Sequence, residues 1–223
     1  MSEFFVIPQV TMTEEGPAVT KTVSHKTPQL IHLQQGSLDG ACGPYSLCMA
    51  LIALGFEKHS KLSNLEQTRS SKKLFKVISD HSDALITEGT ALNQMKKYAE
   101  TYAKQGLKSE KITADLHGNS HEAKSGKQKN FIRVRDFVIE SVFKCRPVVF
   151  GSAYHYSLVI GLGFEDEDAR KRKEPRYLLL LDPDEPSPTM SPWNGLIDMA
   201  PKGNNWFGTG GCTFEDALAL WKE

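Results

Sequence analysis

Cys42 stands just ahead of Gly43-Pro44 and an apolar run, with Gln34 and Gln35 a few residues upstream. Far downstream, His155 opens the run Tyr156-Ser157-Leu158-Val159-Ile160-Gly161, and Asp182 closes Leu178-Leu179-Leu180-Leu181 just before Pro183. Thiol, imidazole and carboxylate are the parts of a cysteine nucleophile, the base that deprotonates it and the group that orients that base. A cysteine attacks as thiolate, and a helix N-terminus, with its free N–H groups and positive dipole end, favours that negative charge. The backbone N–H of Cys42 can also face the oxygen of a tetrahedral intermediate, and Gly43 leaves room beside the reacting carbon. Gln34 or Gln35 could add a side-chain donor to that oxygen. An arbitrary cysteine is more commonly a small buried hydrophobe, and the Gly-Pro-apolar helix is what sets Cys42 apart. Cys48 lies inside the same helix and reads as core, while Cys145 and Cys212 have no comparable setting. The four cysteines form no Cys-x-x-Cys pair, so they carry no zinc motif.

These residues need elements to position them. A helix is expected from about Gly43 to Leu54, because Leu47, Ala50, Leu51 and Leu54 make one apolar stripe. Pro44 suits its first turn and Gly55 its C-terminal cap. Strands are expected at Pro147 to Phe150, Tyr156 to Phe164 and Tyr177 to Leu181. Paired as a hairpin through the charged loop Glu165 to Glu174, the last two bring His155 and Asp182 to one end of a sheet. The Asp-Pro step is otherwise an ordinary turn former.

Elsewhere, residues 3–24 read as short strands, 60–106 as helical through Leu74, Phe75, Val77 and Ile78 and then Leu92, Met95, Ala99 and Tyr102. Residues 107–130 read as a polar, lysine-rich surface insertion, and Ile132 to Lys144 as a helix. Thr213-Phe214-Glu215-Asp216 resembles a capping box opening a last helix with Leu218 and Trp221. Tyr154, Trp193, Asn194 and Trp206 fall in late loops where they could line a cleft. Helices followed by strands, without alternation, give an α+β class.

Gln35, Cys42-Gly43-Pro44, His155-Tyr156-Ser157-Leu158-Val159-Ile160-Gly161 and Leu181-Asp182-Pro183 together resemble the papain-like cysteine peptidases of the bacteriocin-processing, double-glycine leader type. The resemblance covers three short patches. It implies a papain-like α+β fold, with the cysteine on a helix packed against an antiparallel sheet bearing His and Asp. It also implies roles: Cys42 as nucleophile, His155 as general base and acid, Asp182 as orienter and Gln35 as oxyanion donor. Gln35 stands one residue farther from the cysteine than in that family, with Gly36 at the matching place. The expected activity is a thiol hydrolase on a peptide or protein amide, needing no cofactor. Acyl transfer or deamidation on a protein uses the same parts, and a peptide-binding module of the same fold that lacks catalysis is the rival reading. Such folds are frequent among bacterial effectors and toxins.

At 223 residues the chain suits a single catalytic domain over 1–223. Lys+Arg and Asp+Glu are equal at 27 each, which gives no electrostatic case for nucleic acid as a partner. No apolar stretch is long enough to insert in a bilayer. Met1 to Pro8 lacks the basic start and long apolar core of a secretory signal. Four cysteines in this length make no disulfide framework, so a reducing cytoplasm is expected, or export without a cleaved signal.

Overall fold

The computed structural model describes residues 3–13, 16–20, 27–35, 41–63, 90–114, 121–152, 155–199 and 213–223. The expected helix through Leu74 to Ile78, together with Tyr154, Trp206 and Cys212, lies outside these residues. The molecule is an α+β protein built on an antiparallel sheet. Strands β1 (Glu3–Val6), β4 (Leu107–Thr113), β5 (Val148–Ser152), β6 (His155–Phe164), β7 (Tyr177–Leu181), β8 (Gly195–Asp198) and β9 (Asp216–Lys222) form it. The order is β4-β9-β5-β6-β7-β8, with β1 pairing with the far half of β6, beyond the part paired to β5. β2 (Val10–Thr13) and β3 (Gly16–Thr20) form a separate hairpin.

The expected strands at β5, β6 and β7 are present, and so is their hairpin. Leu158 to Phe164 of β6 and Leu178 to Leu181 of β7 are buried without alternation. Successive side chains point to opposite faces, so both faces of the sheet are covered. Helix α1 (Cys42–Ala53) packs on β6 and β5 and against α3 (Leu92–Glu100). The long helix α4 (His121–Phe143) packs on β9, β6, β5 and β4. Short helices are α2 (His59–Ser63) and α5 (Glu167–Arg172).

α1 is buried on almost every side, only Tyr45 being half-exposed, so it is a core helix rather than the amphipathic one its leucine stripe implies. Its end is a complete Schellman motif. Gly55 has φ 76°, its N–H reaches Ile52 O at 2.9 Å, and Phe56 N–H reaches Leu51 O at 2.9 Å.

Four readings are corrected. Leu107–Thr113 is the edge strand β4 rather than loop, and helix α4 starts at His121 rather than Ile132. An edge strand has one bare side, which tolerates the lysines and glutamate that suggested a solvated insertion. The capping box at Thr213 opens no helix: residues 216–222 are β9, in the sheet interior, with Ala217, Leu218, Ala219 and Leu220 all fully buried. A run buried on two faces has lost the alternation that marks a strand. The loop from Glu165 to Glu174 contains α5, capped by Asp166, whose side chain accepts from Ala169 N–H.

Among the described residues no helix is long and apolar enough to cross a membrane.

Candidate active site

One irregularity in the β6–β7 pairing decides what stands beside Asp182. Gly161 pairs with Leu179, but past a bulge at Ile160 the register slips by one, so that Leu158 pairs with Leu181. Continued without the bulge, the ladder would set Asp182 against Leu158. With it, Asp182 follows on beside Ser157, and the Ser157 hydroxyl donates to Asp182 Oδ2 at 3.1 Å. His155, at the start of β6, bonds through Nε2 to Asp182 Oδ1 at 2.7 Å. The carboxylate is further fixed by the Asp184 N–H, 3.0 Å from Oδ1. Its main chain is clasped by Asn194, which accepts from Asp182 N–H at 2.7 Å and donates to Asp182 O at 2.9 Å.

Burial alone would push the His155 imidazole toward neutrality. The hydrogen bond and charge of Asp182, joined by a side-chain hydrogen bond and charge from Cys42, outweigh it and push its pKa up to about 10. Asp182 shows the mirror effect. Burial would raise its pKa, but the His155 bond and charge, then the Asp184 N–H and Ser157 hydroxyl, hold it below the usual carboxylate value.

Cys42 is the first residue of α1 and is 6% exposed. The first intrahelical bond there is Tyr45 N–H to Ala41 O, so the N–H groups of Cys42 and Gly43 have no partner within the helix. Tyr156 fastens the helix to the sheet. Its ring crosses Gly151, where an added Cβ would sit 2.5 Å from Cε1, and it lies 3.4 Å from where a Cβ on Gly43 would be. Its hydroxyl donates to Asp216 Oδ2 at 3.0 Å, and Ser46 donates to its carbonyl at 3.1 Å. Gly43 is thus needed for the approach of Met95 and Tyr156, which fill the space its missing side chain leaves.

Gln35 lies on the other side of the cluster. Its backbone N–H donates to Pro183 O at 2.9 Å and its side-chain Nε2 donates to the Asp184 carboxylate. Asp184 Oδ2 in turn stands 3.6 Å from His155 Nδ1. Among the remaining cysteines, Cys48 and Cys145 are free; burial, then the charge of Glu57, pushes the Cys48 thiol up to about 12. Of the proposed cleft residues, Asn194 supports Asp182, while Trp193 packs against Phe4, the rings tilted and their centroids 5.0 Å apart.

Sequence reasoning did not single out Ser157, His32 or Asp184. His32 is buried, and its Nε2 is 2.9 Å from Asp182 O and 3.1 Å from Asn194 Nδ2. Ser157 sits two residues after His155 and so on the same face of the strand, which was a usable signal. Asp184 and His32 join through loop geometry that local sequence does not encode. One donor atom from each of His155, Asp182 and Asp184 lies within 4.8 Å of the others. No protein-family model, curated protein or solved structure matches this chain.

Proposed function

We propose that the chain is a cysteine-nucleophile hydrolase of papain-like fold that cleaves an amide in a peptide or protein. The observation that carries this reading is the His155 imidazole, held at Nε2 by a well-anchored carboxylate, with Cys42 at the head of α1 among the groups that raise its pKa. An imidazole whose proton affinity is raised by a fixed anion is suited to taking a thiol proton and delivering it to a leaving amine.

In this reading the Cys42 sulfur attacks the carbonyl carbon as thiolate, its proton already held by His155 at Nδ1, the nitrogen that Asp182 does not hold. The carbonyl π pair moves to oxygen, where the N–H groups at the start of α1, which have no partner within the helix, stabilise it. Collapse breaks the C–N bond, the amine leaves with the proton from His155, and a thioester remains on Cys42. Water then attacks the thioester, losing a proton to His155. The C–S bond breaks and the sulfur leaves as thiolate, the proton staying on His155. Asp182 stays a carboxylate throughout. Gln35 Nε2 is engaged with the Asp184 carboxylate, so the backbone N–H of Cys42 is the donor this reading relies on.

Iodoacetamide at near-neutral pH, read by peptide mass spectrometry, tests this. Cys42 should be alkylated well ahead of Cys48, whose raised pKa keeps it neutral and unreactive, and His155→Ala should abolish that preference. Uniform labelling, or an untouched Cys42, returns the chain to the class of binding modules.

A further inference from the structure

His32 is a buried imidazole that the proposed chemistry leaves unused. The segment carrying it runs along the turn that follows β7. Ile31 and Leu33 are buried on either side of it, and Gln35 N–H reaches Pro183 O at 2.9 Å. His32 Nε2 stands 2.9 Å from Asp182 O. A nitrogen facing a carbonyl at this distance carries the ring hydrogen, since two lone pairs would repel. Asn194 is consistent with that tautomer. Its Oδ1 is committed to Asp182 N–H, so its Nδ2 donates, to Asp182 O at 2.9 Å and to Pro186 O at 3.0 Å. The 3.1 Å between Asn194 Nδ2 and His32 Nε2 is then two donors converging on one oxygen, which has a lone pair for each. His32 has its own anchor: His59, the first residue of α2, places Nε2 3.1 Å from His32 O. Burial, more than the Asp182 carbonyl and charge offset, lowers the His32 pKa, so the donor is a neutral imidazole.

We propose that His32 is a positioning residue, which sets the Asp182 carboxylate against His155 by donating to the Asp182 carbonyl beside Asn194. It rests on the thiol-hydrolase reading, which gives that carboxylate its task. Asp182 lies one residue past β7, where its N–H and C=O bond to side chains instead of a neighbouring strand. His32 and Asn194 supply there the fixity that the ladder supplies within β7. A carboxylate on a looser main chain gives up its 2.7 Å bond to His155 Nε2, and with it the charge that makes the imidazole basic. A histidine that only fills the core would do nothing for His155.

Two variants of the full chain separate these roles. His32→Phe keeps a ring and loses the donor, whereas His32→Gln loses the ring and keeps an amide N–H at about the reach of Nε2. The first readout is iodoacetamide alkylation of Cys42 from about pH 5 to 9. Wild type and His32→Gln should agree within about threefold. His32→Phe should react about tenfold more slowly at near-neutral pH, its profile displaced upward by about one unit, because a less basic imidazole holds less thiolate. Equal rates in all three proteins, equal slowing of both variants, or a faster His32→Phe than His32→Gln overturns the assignment. The second readout is the titration of His155 by side-chain NMR, whose midpoint should fall by about one unit in His32→Phe and hold in His32→Gln. The same spectra give the wild-type His32 tautomer, and a hydrogen on Nδ1 at neutral pH overturns the donor outright. Should His32→Phe not fold, His32→Leu carries the same comparison. If wild-type Cys42 is not alkylated ahead of Cys48, the hydrolase reading falls instead. The His155 titration then decides the role of His32 alone: a midpoint lowered by phenylalanine and kept by glutamine upholds it, and an unchanged midpoint ends it.

Discussion

Asp182 is a largely buried anion that survives because both oxygens are occupied, Oδ1 by His155 and the Asp184 N–H and Oδ2 by Ser157. Its partner carries the pH signature. A histidine whose folded pKa is about 10, against 6.5 when unfolded, adds stability fully present below pH 6.5 and lost as pH rises toward 10. Asp182 has a depressed pKa, so its share is present above the ordinary carboxylate value and fades only in acid. Denaturant melts across pH 6–10 should show wild-type stability falling in that window, with a flatter profile in His155→Gln. An identical slope in the variant would disprove this assignment. At this scale the sequence exposed what lies at strand ends. His155 and Asp182 were legible because a hairpin brings the start of one strand to the end of the next. Asn194 was visible only as a loop residue, and its clasp on Asp182 depends on how residues 183–194 fold back over β7.

The elements hold the site through close approaches that leave no spare volume. Tyr156 lies across Gly151 on β5, beside Gly43 on α1. Gly151→Ala would force its new methyl into the Tyr156 ring and should cost about 1–3 kcal/mol of stability, as overpacking does. Because Tyr156 adjoins His155 and α1, the same variant should also lose selective Cys42 labelling. A variant as stable and as reactive as wild type would show that Tyr156 does not fasten the helix. The Ile160 bulge belongs here as well, since a one-residue slip in pairing exchanges Leu158 for Ser157 next to Asp182. Nothing in the run His155 to Phe164 announces that slip, because bulges answer to the partner strand. β5, β6 and β7 and the caps of α1 were legible from apolar runs and from Pro44 and Gly55. β9 was not, because Thr213 and Glu215 mimic a helix start while the strand's lack of alternation reflects helices covering both faces.

Across the whole molecule, burial is concentrated in β5, β6, β7 and β9 and in α1, where side chain after side chain is inaccessible. Native-state hydrogen exchange should therefore find its slowest amides there and much faster exchange in the β2–β3 hairpin, which stands outside the main sheet. Comparable protection in both regions would refute a core so distributed. The α+β class was readable from the order of helical and strand patterns, whereas the strand order was not, since pairing β9 between β4 and β5 joins residues as distant along the chain as Leu107 and Lys222, or Val148 and Ala219. That placement bears on biosynthesis. β9 is made after every other strand of the sheet, yet β5 needs it on its outer edge, and its Asp216 receives the Tyr156 hydroxyl. A polypeptide still emerging from the ribosome with residue 216 unmade leaves β5 with a raw edge and the ring beside His155 untethered. The reaction proposed for Cys42 would thus await translation of this segment, and a truncated product should be sticky and inert rather than prematurely active.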